Sequence, residues 1–345
     1  MPKKKIRVGV IGCGSIAIHR HAPEYGANPD VELVAFADIV PERSKALAAR
    51  YGGKDLSRWE DLLAVKGLDA VSVCLPNYLH APVTVAALKA GKHTLCEKPM
   101  ATSDKEAREM QAAASRAGKF LMIGHNQRLA SLHVKAKQLV EAGVIGKVLT
   151  FRTAFSHPGP EGWSIDGATS WFYDKKRAFV GAMGDLGVHK ADLVRWLLGE
   201  EIVEAASFVE HLHKPMGDVD DNAVCLLRSA SGAIGTLVCS WTHNPGEDNA
   251  TTLFGSLGIM RIGSDPRFSV VVELASGEKQ YYETGKLQTN ESGGQSDSGV
   301  IRQFITAIST NTPPEIDGEE GRRALAIILA CVESARTKSF AAVKI

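Results

Sequence analysis

Three residues at the end of one apolar run, in the stretch TLCEKPMA, could take part in acid–base chemistry. Glu97 and Lys98 carry groups that resist burial, and Pro99 fixes the backbone that follows them. An amine at a strand end can hydrogen-bond a substrate oxygen or transfer a proton. On these residues alone, a surface ion pair between Glu97 and Lys98 is an equally good interpretation.

A second stretch with chemical potential reads GAMGDLGVHKADLVRWLLG. A helix from about residue 184 places Asp185, His189 and Asp192 on one face. An imidazole beside a carboxylate is a typical general base, but Asp185 could equally complement the helix dipole and His189 could be a core histidine. A metal site is the less favoured interpretation, because no further ligands cluster there. Gly187 costs helix stability, which predicts close approach of a ligand.

The elements that position these residues differ between the two parts of the chain. Up to residue 125, short apolar runs alternate with alanine-rich helical stretches. Fully apolar strands alternating with helices predict a parallel sheet covered on both faces, that is, a doubly wound α/β fold. Ligands of such sheets bind beyond the carboxyl ends of the strands.

The first strand leads into GCGSIA, which has the G-x-G-x-x-A spacing of a dinucleotide-binding loop. Gly12 allows the tight turn, Gly14 lets the backbone approach a pyrophosphate, and Ala17 allows close helix packing. We expect the loop residues Cys13, Ser15 and Ile16 to contact the cofactor as well, since a helix N-terminus binds phosphate.

Asp38 closes the second strand, where a carboxylate binds the ribose hydroxyls of the adenosine. A helix or turn cap is its alternative role. Because this charge repels a 2′-phosphate, the sequence favours NAD over NADP, although Arg43 keeps NADP as a minority alternative.

Two more strand ends should reach the same crevice. Leu75, Pro76, Asn77 and His80 follow the run AVSVC, and a cofactor contact is as reasonable for Asn77 and His80 as a loop and cap role. Glu97 and Lys98 follow the next run, so we expect both near the nicotinamide.

From about residue 148 the strands are longer and alternate between apolar and polar residues, which predicts a mostly antiparallel sheet with one open face. A neighbouring subunit could cover that face. We therefore divide the chain into a dinucleotide-binding domain, 1–125, and an α+β substrate and oligomerisation domain, 126–345, whose C-terminal helix could pack back on the first. The loop 156–176 could overhang a pocket, and 290–299 is predicted to be a mobile loop.

Composition limits the possible partners and compartment. The net charge of +1 gives no reason to expect nucleic acid or an anionic membrane as partner. The six cysteines form no C-x-x-C pair, which favours free thiols in a reducing compartment. The N-terminal apolar run is broken by glycines, so no signal peptide is predicted and we expect a cytoplasmic protein.

Taken together, GCGSIA at 12–17, EKP at 97–99 and GDLGVHKAD at 184–192 resemble the Gfo/Idh/MocA family of NAD(P)-dependent oxidoreductases. The resemblance covers essentially the whole chain. It implies a Rossmann domain, an open-faced C-terminal sheet that mediates dimers or tetramers, and a catalytic group of Lys98, Asp185 and His189. Many members have consecutive glycines where this chain has Ala182 and Met183.

The expected function is NAD-dependent oxidation of a secondary hydroxyl of a sugar, cyclitol or related polyol, without a metal. Asn126 and Arg128 are expected to contact substrate or nicotinamide, and Trp163 and Trp171 to stack on a sugar ring. Two alternatives stay open. One is a glycosidase that oxidises its sugar transiently and regenerates NAD, and the other is a non-catalytic dinucleotide-sensing regulator.

Overall fold

A computed structural model describes residues 4–285 and 297–345, which form two compact units. The first contains 4–125, 163–171 and 297–322, and the second contains the remaining described residues. The first segment of the first unit ends at His125, and two later segments also belong to this unit. Of the predicted mobile loop 290–299, residues 290–296 lie outside the described residues.

The first unit is built on a six-stranded sheet in which every pair of neighbouring strands is parallel. The strands are β1 (Ile6–Ile11), β2 (Val31–Ala37), β3 (Lys54–Leu56), β4 (Ala70–Val73), β5 (His93–Cys96) and β6 (Leu121–Ile123). Their order is β3-β2-β1-β4-β5-β6. The predicted doubly wound fold is therefore confirmed. Only the short edge strand β3 is absent from the sequence prediction, because its residues are largely exposed and show no apolar run.

Helices connect the strands of the first unit and cover the second unit's sheet. They are α1 (Ala22–Ala27), α2 (Pro41–Tyr51), α3 (Trp59–Leu63), α4 (Asn77–Lys89), α5 (Asp104–Ala117), α6 (Ser131–Glu141), α7 (Lys175–Ala178), α8 (Val188–Leu198), α9 (Val300–Thr310) and α10 (Gly318–Thr337). Helix α9 and the first turn of α10 belong to the first unit, so the C-terminal region does contribute to it.

Two helices begin with a wide π-helical turn, Ala17–His21 before α1 and Met183–Gly187 before α8. The first of these turns directly precedes Pro23, which has no N–H to donate. Such turns are rare and often occur at functional sites. The second lies within the stretch GAMGDLGVHKADLVRWLLG, and the first begins at Ala17, the last residue of GCGSIA.

The second unit is built on a nine-stranded mixed sheet. Its strands are β7 (Val148–Ser156), β8 (Ile202–Glu210), β9 (Asn222–Ser229), β10 (Ile234–Ser240), β11 (Thr251–Gly255), β12 (Gly258–Ile262), β13 (Val270–Leu274), β14 (Lys279–Tyr282) and β15 (Ala341–Ala342). The order is β14-β13-β12-β11-β7-β10-β9-β8-β15, and among these neighbours only β7 and β10 run parallel. The predicted mostly antiparallel sheet is confirmed.

One face of this sheet carries exposed apolar side chains. Strand β9 alternates strictly, so Val224 and Leu226 are exposed while their neighbours are buried. Phe208 of β8 lies opposite Val224, and Ile234 of β10 lies on the same face, opposite Arg228. Phe208 is 74% exposed and the other three are about half exposed. We call these four residues the open-face patch. No helix within the described residues is both long and apolar enough to cross a membrane.

Candidate active site

In the first unit, the predicted cofactor residues follow the carboxyl ends of four parallel strands. Gly12 follows β1, Asp38 follows β2, Leu75 comes soon after β4, and Lys98 comes soon after β5. Since the carboxyl ends of parallel strands meet at one edge, the fold collects these residues there.

Gly12 is required by the backbone itself. Its φ is +87°, and a Cβ added here would lie 2.1 Å from the carbonyl oxygen of Cys74. Its N–H donates to the carbonyl of Ala37 at 2.8 Å. The glycine loop is therefore pressed between the ends of β2 and β4, and only glycine fits this position.

Gly14 differs, because an added Cβ would meet no atom within 4 Å. This position thus needs no glycine for internal packing, as expected where backbone must leave room for a pyrophosphate. Ala17 is completely buried where the helix begins. The loop of Cys13, Gly14, Ser15 and Ile16, followed by a helix N-terminus, fits a dinucleotide.

Asp38 is fixed by the backbone on both sides. Its Oδ2 accepts the Cys13 N–H at 2.7 Å, and its Oδ1 accepts the Val40 N–H at 2.8 Å. Each carboxylate oxygen keeps a second lone pair for a hydroxyl donor. The structure therefore combines the two sequence interpretations of Asp38, since it caps the turn and also presents a carboxylate beside the glycine loop.

His80 joins two of the strand-end loops. One ring nitrogen lies 2.7 Å from the carbonyl of Pro99 and the other 2.8 Å from that of Leu75. Burial lowers the pKa of this imidazole, while the two carbonyl acceptors raise it, and the net direction is down. These hydrogen bonds therefore favour a loop and cap role for His80 over a cofactor contact. Asn77 is also buried, at the first position of α4, directly after Pro76.

The carboxylate of Glu97 is buried in an ion-pair network and does not form a surface pair with Lys98. Arg20 donates to its Oε1 at 3.1 Å, and the His21 Nε2 lies 2.9 Å from the same oxygen. The other His21 nitrogen contacts the Ser72 hydroxyl at 3.0 Å, which contacts the Tyr25 hydroxyl at 2.8 Å. If His21 carries its proton on Nε2, each hydrogen bond from Glu97 through His21 and Ser72 to Tyr25 has one donor and one acceptor.

The network stabilises the charged form of Glu97. Burial raises the pKa of this carboxyl, but Arg20 and then His21 lower it by more, so the net pKa lies well below its usual range. The Lys98 N–H donates to the other Glu97 oxygen at 3.3 Å. The buried glutamate thus fixes the backbone from which the Lys98 side chain projects, a supporting role in place of the predicted cofactor contact.

Asp185 and His189 of the second unit lie where the wide turn passes into α8. The Asp185 Oδ2 accepts the Trp241 indole N–H at 3.2 Å, and His157 Nε2 lies 3.8 Å from it. His157 Nδ1 accepts the Gly159 N–H at 2.9 Å, so its proton is on Nε2, facing Asp185. The sequence analysis missed His157 because nothing near SHPGP indicates its partner.

The imidazole of His189 lies on an aromatic support. Its ring centroid is 5.7 Å from that of Phe155, which also packs edge-on against His157. The two histidines and Asp185 are each under a tenth exposed. An acceptor carboxylate and an imidazole, both with restricted orientation, are suitable for binding a hydroxyl and accepting its proton.

The wide turn is itself held by Asp220. Its two oxygens accept the N–H groups of Gly181 and Met183 at 2.7 and 2.8 Å. Burial raises the pKa of Asp220, while these backbone donors lower it, and the net direction is up. Gly187 is small for a different reason from the predicted ligand approach. An added Cβ would lie 2.7 Å from Met183 Sδ and 3.2 Å from Cys239 Sγ.

Arg128 and Asp192 form a bidentate ion pair, with donor–acceptor distances of 2.7 and 2.6 Å. Both side chains are almost completely buried. This pairing favours a structural role for Arg128 over the predicted substrate contact, and it separates Asp192 from the predicted cluster with Asp185 and His189. Asn126 begins the same short 3-10 segment and is 8% exposed.

The segment that contains Trp163 and Trp171 belongs to the first unit. The Ser15 hydroxyl donates to the Trp163 carbonyl at 3.3 Å and accepts the Ile165 N–H at 2.8 Å. The structure thus places this segment against the glycine loop. Throughout 4–285 and 297–345, no three His, Cys, Asp or Glu side chains are grouped so that they could hold a metal ion.

Substitution by alanine should have different effects at Gly12 and at Gly14. Gly12→Ala should lower the free energy of unfolding by about 1–3 kcal/mol or more, because it forces a left-handed backbone and a clash. Gly14→Ala should unfold like the wild type but bind NADH about 10- to 100-fold more weakly, the worth of a hydrogen bond to a charged group. Urea unfolding and NADH fluorescence titration measure these effects. Wild-type NADH affinity in Gly14→Ala would contradict the assignment of the loop.

Comparison with known proteins agrees with this geometry. Residues 6–125 match the family described as "Oxidoreductase family, NAD-binding Rossmann fold", and residues 133–261 match the "GFO/IDH/MocA C-terminal domain". A levoglucosan dehydrogenase structure, in complex with NADH and L-sorbose, superposes with a TM-score of 0.87 at 26% identity, covering 99% of each chain.

Two characterised relatives are sugar or cyclitol enzymes. Myo-inositol 2-dehydrogenase of Thermotoga maritima is 29% identical over 96% of this chain and 97% of its own length. D-glucoside 3-dehydrogenase of Escherichia coli is 36% identical, over 60% of this chain and 58% of its own length. The two matched regions account for most of the chain and include both stretches described above. The chain therefore belongs to the Gfo/Idh/MocA family of oxidoreductases, and its first unit contains the family's NAD-binding Rossmann domain.

Proposed function

We propose that this enzyme is an NAD-dependent dehydrogenase that oxidises a secondary hydroxyl of a sugar, cyclitol or related polyol. The observation that carries the proposal is the buried Glu97 network. It fixes the backbone of Lys98 at the sheet edge where the dinucleotide loop also lies. A carboxylate is rarely buried and charged unless it is paired and hydrogen-bonded, because its desolvation is costly.

We assign the proton chemistry to three side chains. His189 accepts the proton of the substrate hydroxyl, and Lys98 donates a hydrogen bond to the same oxygen. Asp185, whose orientation is restricted by Trp241 and His157, accepts a hydrogen bond from a second hydroxyl of the substrate. Bound NAD would supply the acceptor for the hydride of the carbinol carbon.

Asp38 supports NAD in preference to NADP. Its carboxylate is held beside the glycine loop by two backbone donors, where it can accept the ribose hydroxyls and repel a 2′-phosphate. The next residue, Ile39, is 91% exposed and has no side-chain donor for a phosphate.

The substrate class is supported by the relatives, which include a glucoside, an inositol and a levoglucosan dehydrogenase. A panel of hexoses, glycosides, anhydrosugars and inositols, scanned for NADH formation, tests it. Glycoside cleavage without net NADH would instead support the NAD-recycling glycosidase. NADH binding without turnover of any polyol would support a sensor.

We also propose that the open-face patch is covered by a second copy of the chain, giving a dimer or tetramer. Phe208, Val224, Leu226 and Ile234 together place a row of apolar side chains on one sheet face. Apolar patches of this kind on a soluble protein usually mark interfaces.

The cofactor preference should depend on Asp38. Wild-type enzyme should have a higher kcat/KM for NAD than for NADP, and Asp38→Ser should narrow the ratio by about 10- to 100-fold, as expected for hydrogen bonds to a charged group. Asp38→Asn is the control, because it keeps an acceptor for the Cys13 N–H while removing the charge. A wild-type preference for NADP would refute the role of Asp38.

Lys98→Ala and His189→Ala should each lower kcat by about 10²- to 10⁴-fold while NADH still binds, because a positioned acid–base group contributes that much. Loss of the imidazole should also remove an ionisation near neutral pH from the kcat/KM profile. Steady-state kinetics between pH 5 and 10 measure both effects.

Exposed residues of the same types provide controls, since Lys105→Ala and His213→Ala should retain full activity. A loss below about tenfold in Lys98→Ala would exclude Lys98 from the reaction. If the neutral ionisation persists without His189 and disappears without Lys98, then Lys98 is the base.

Charge in the open-face patch should dissociate the oligomer. Phe208→Asp and Leu226→Lys each place a charge in a surface that we propose to be desolvated, so sedimentation should shift toward the 37.0 kDa monomer. Leu257→Lys, at an exposed leucine outside the patch, should leave the oligomer unchanged. A wild-type monomer at micromolar concentration would contradict the proposal.

A further inference from the structure

Residues 163–171, which we call the strap, are remote from the glycine loop in sequence but packed on it in the first unit. The hydroxyl of Ser15 makes two hydrogen bonds to the strap backbone, at Trp163 and Ile165. One hydroxyl can donate once and accept twice, so both bonds are compatible. The strap is thus anchored directly to the loop that fits the dinucleotide.

A second anchor joins the strap to the ribose end of the site. The Arg43 guanidinium forms an ion pair with the carboxylate of Asp166, and these side chains are 21% and 31% exposed. Arg43 lies in the first turn of α2, which begins at Pro41, soon after Asp38. The positive charge of Arg43 affects the Cys13 thiol of the glycine loop. Burial and Asp38 raise the pKa of the Cys13 thiol to about 12, whereas Arg43 lowers it.

The ion pair with Asp166 limits the ability of Arg43 to bind a phosphate group. A guanidinium beside Asp38 would be a natural partner for a 2′-phosphate, since arginine binds phosphate through a bidentate fork. Asp166 already pairs with the Nη2 of that fork, and its negative charge offsets the positive charge of Arg43. We propose that Asp166 is a specificity-determining residue that excludes NADP by sequestering Arg43.

The inference rests on the proposed NAD-dependent function but can fail separately from it. Binding of NADH and NADPH to the purified enzyme, followed by nicotinamide fluorescence, needs no sugar substrate. Asp166→Asn should leave NADH affinity within about twofold and tighten NADPH binding about three- to tenfold, the range expected for a partly exposed charge. Asp166→Ser, which also removes the charge, provides a second variant should the first not fold.

Two comparisons isolate the pair. Arg43→Gln alone should not tighten NADPH binding, and Arg43→Gln combined with Asp166→Asn should lose most of the gain of the single variant. Asp297→Asn removes an equal charge from another Asp–Arg pair of the first unit and should change neither affinity.

The proposal is overturned if Asp166→Asn and Asp166→Ser leave the NADPH to NADH affinity ratio unchanged, or if the gain persists without Arg43. It is also overturned if both cofactors weaken equally, because the strap would then only stabilise the site. If the wild type prefers NADPH, the role of Asp38 fails. The shift caused by Asp166→Asn would still decide the role of Asp166.

Discussion

The carboxylate of Glu97, buried between Arg20 and His21, is the interaction on which the site of the first unit depends. A buried charge is tolerable only when it is paired and hydrogen-bonded, so its partners cannot be rearranged independently. Arg20 and His21 come from the wide turn after the glycine loop, Ser72 comes from β4, and Glu97 follows β5. One charge therefore links three segments of the dinucleotide site, and the backbone of Lys98 is attached to the same carboxylate. The backbone position of Lys98 is therefore tied to the hydrogen bonding of its acidic neighbour.

The second unit uses buried carboxylates in a similar way. Asp220 binds two backbone N–H groups of the wide turn that carries Asp185, and Asp192 ties α8 to Arg128. Both are internal supports, because they are almost completely buried. Asp185 instead contacts two side chains, the indole of Trp241 and the imidazole of His157. A carboxylate and an imidazole with fixed positions suit the proposed binding of hydroxyl groups, because reorganisation during the reaction would cost rate.

The sequence predicts those features that depend on local backbone patterns. Apolar runs alternating with helices indicated the parallel sheet, and Gly12 fits a position that only glycine can occupy. The interactions that it did not reveal join residues far apart in the chain. Arg20 pairs with Glu97 across 77 positions and Arg128 with Asp192 across 64, and no periodicity encodes such a pairing. Gly187 was explained wrongly for the same reason, since the atoms that exclude a larger residue include Cys239 of a distant strand. Hydrophobic pattern defines the fold here, whereas the partners of buried charges appear only in three dimensions.

The dinucleotide end of the site combines both kinds of information. Asp38 can be recognised from sequence because it stands at a strand end and is held by backbone donors nearby in the fold. Asp166 cannot, because it reaches Arg43 from 123 positions away. The sequence alone therefore predicts an acid and an arginine near the ribose. Asp38 would repel a 2′-phosphate and Arg43 would attract one, so the sequence favours NAD without excluding NADP. The ion pair of Arg43 with Asp166 supports the proposed exclusion of NADP, because an arginine already paired with a carboxylate offers a phosphate little net charge. The proposed cofactor preference therefore depends on the charges of Asp38, Arg43 and Asp166, and the two that are near each other in sequence do not define it alone.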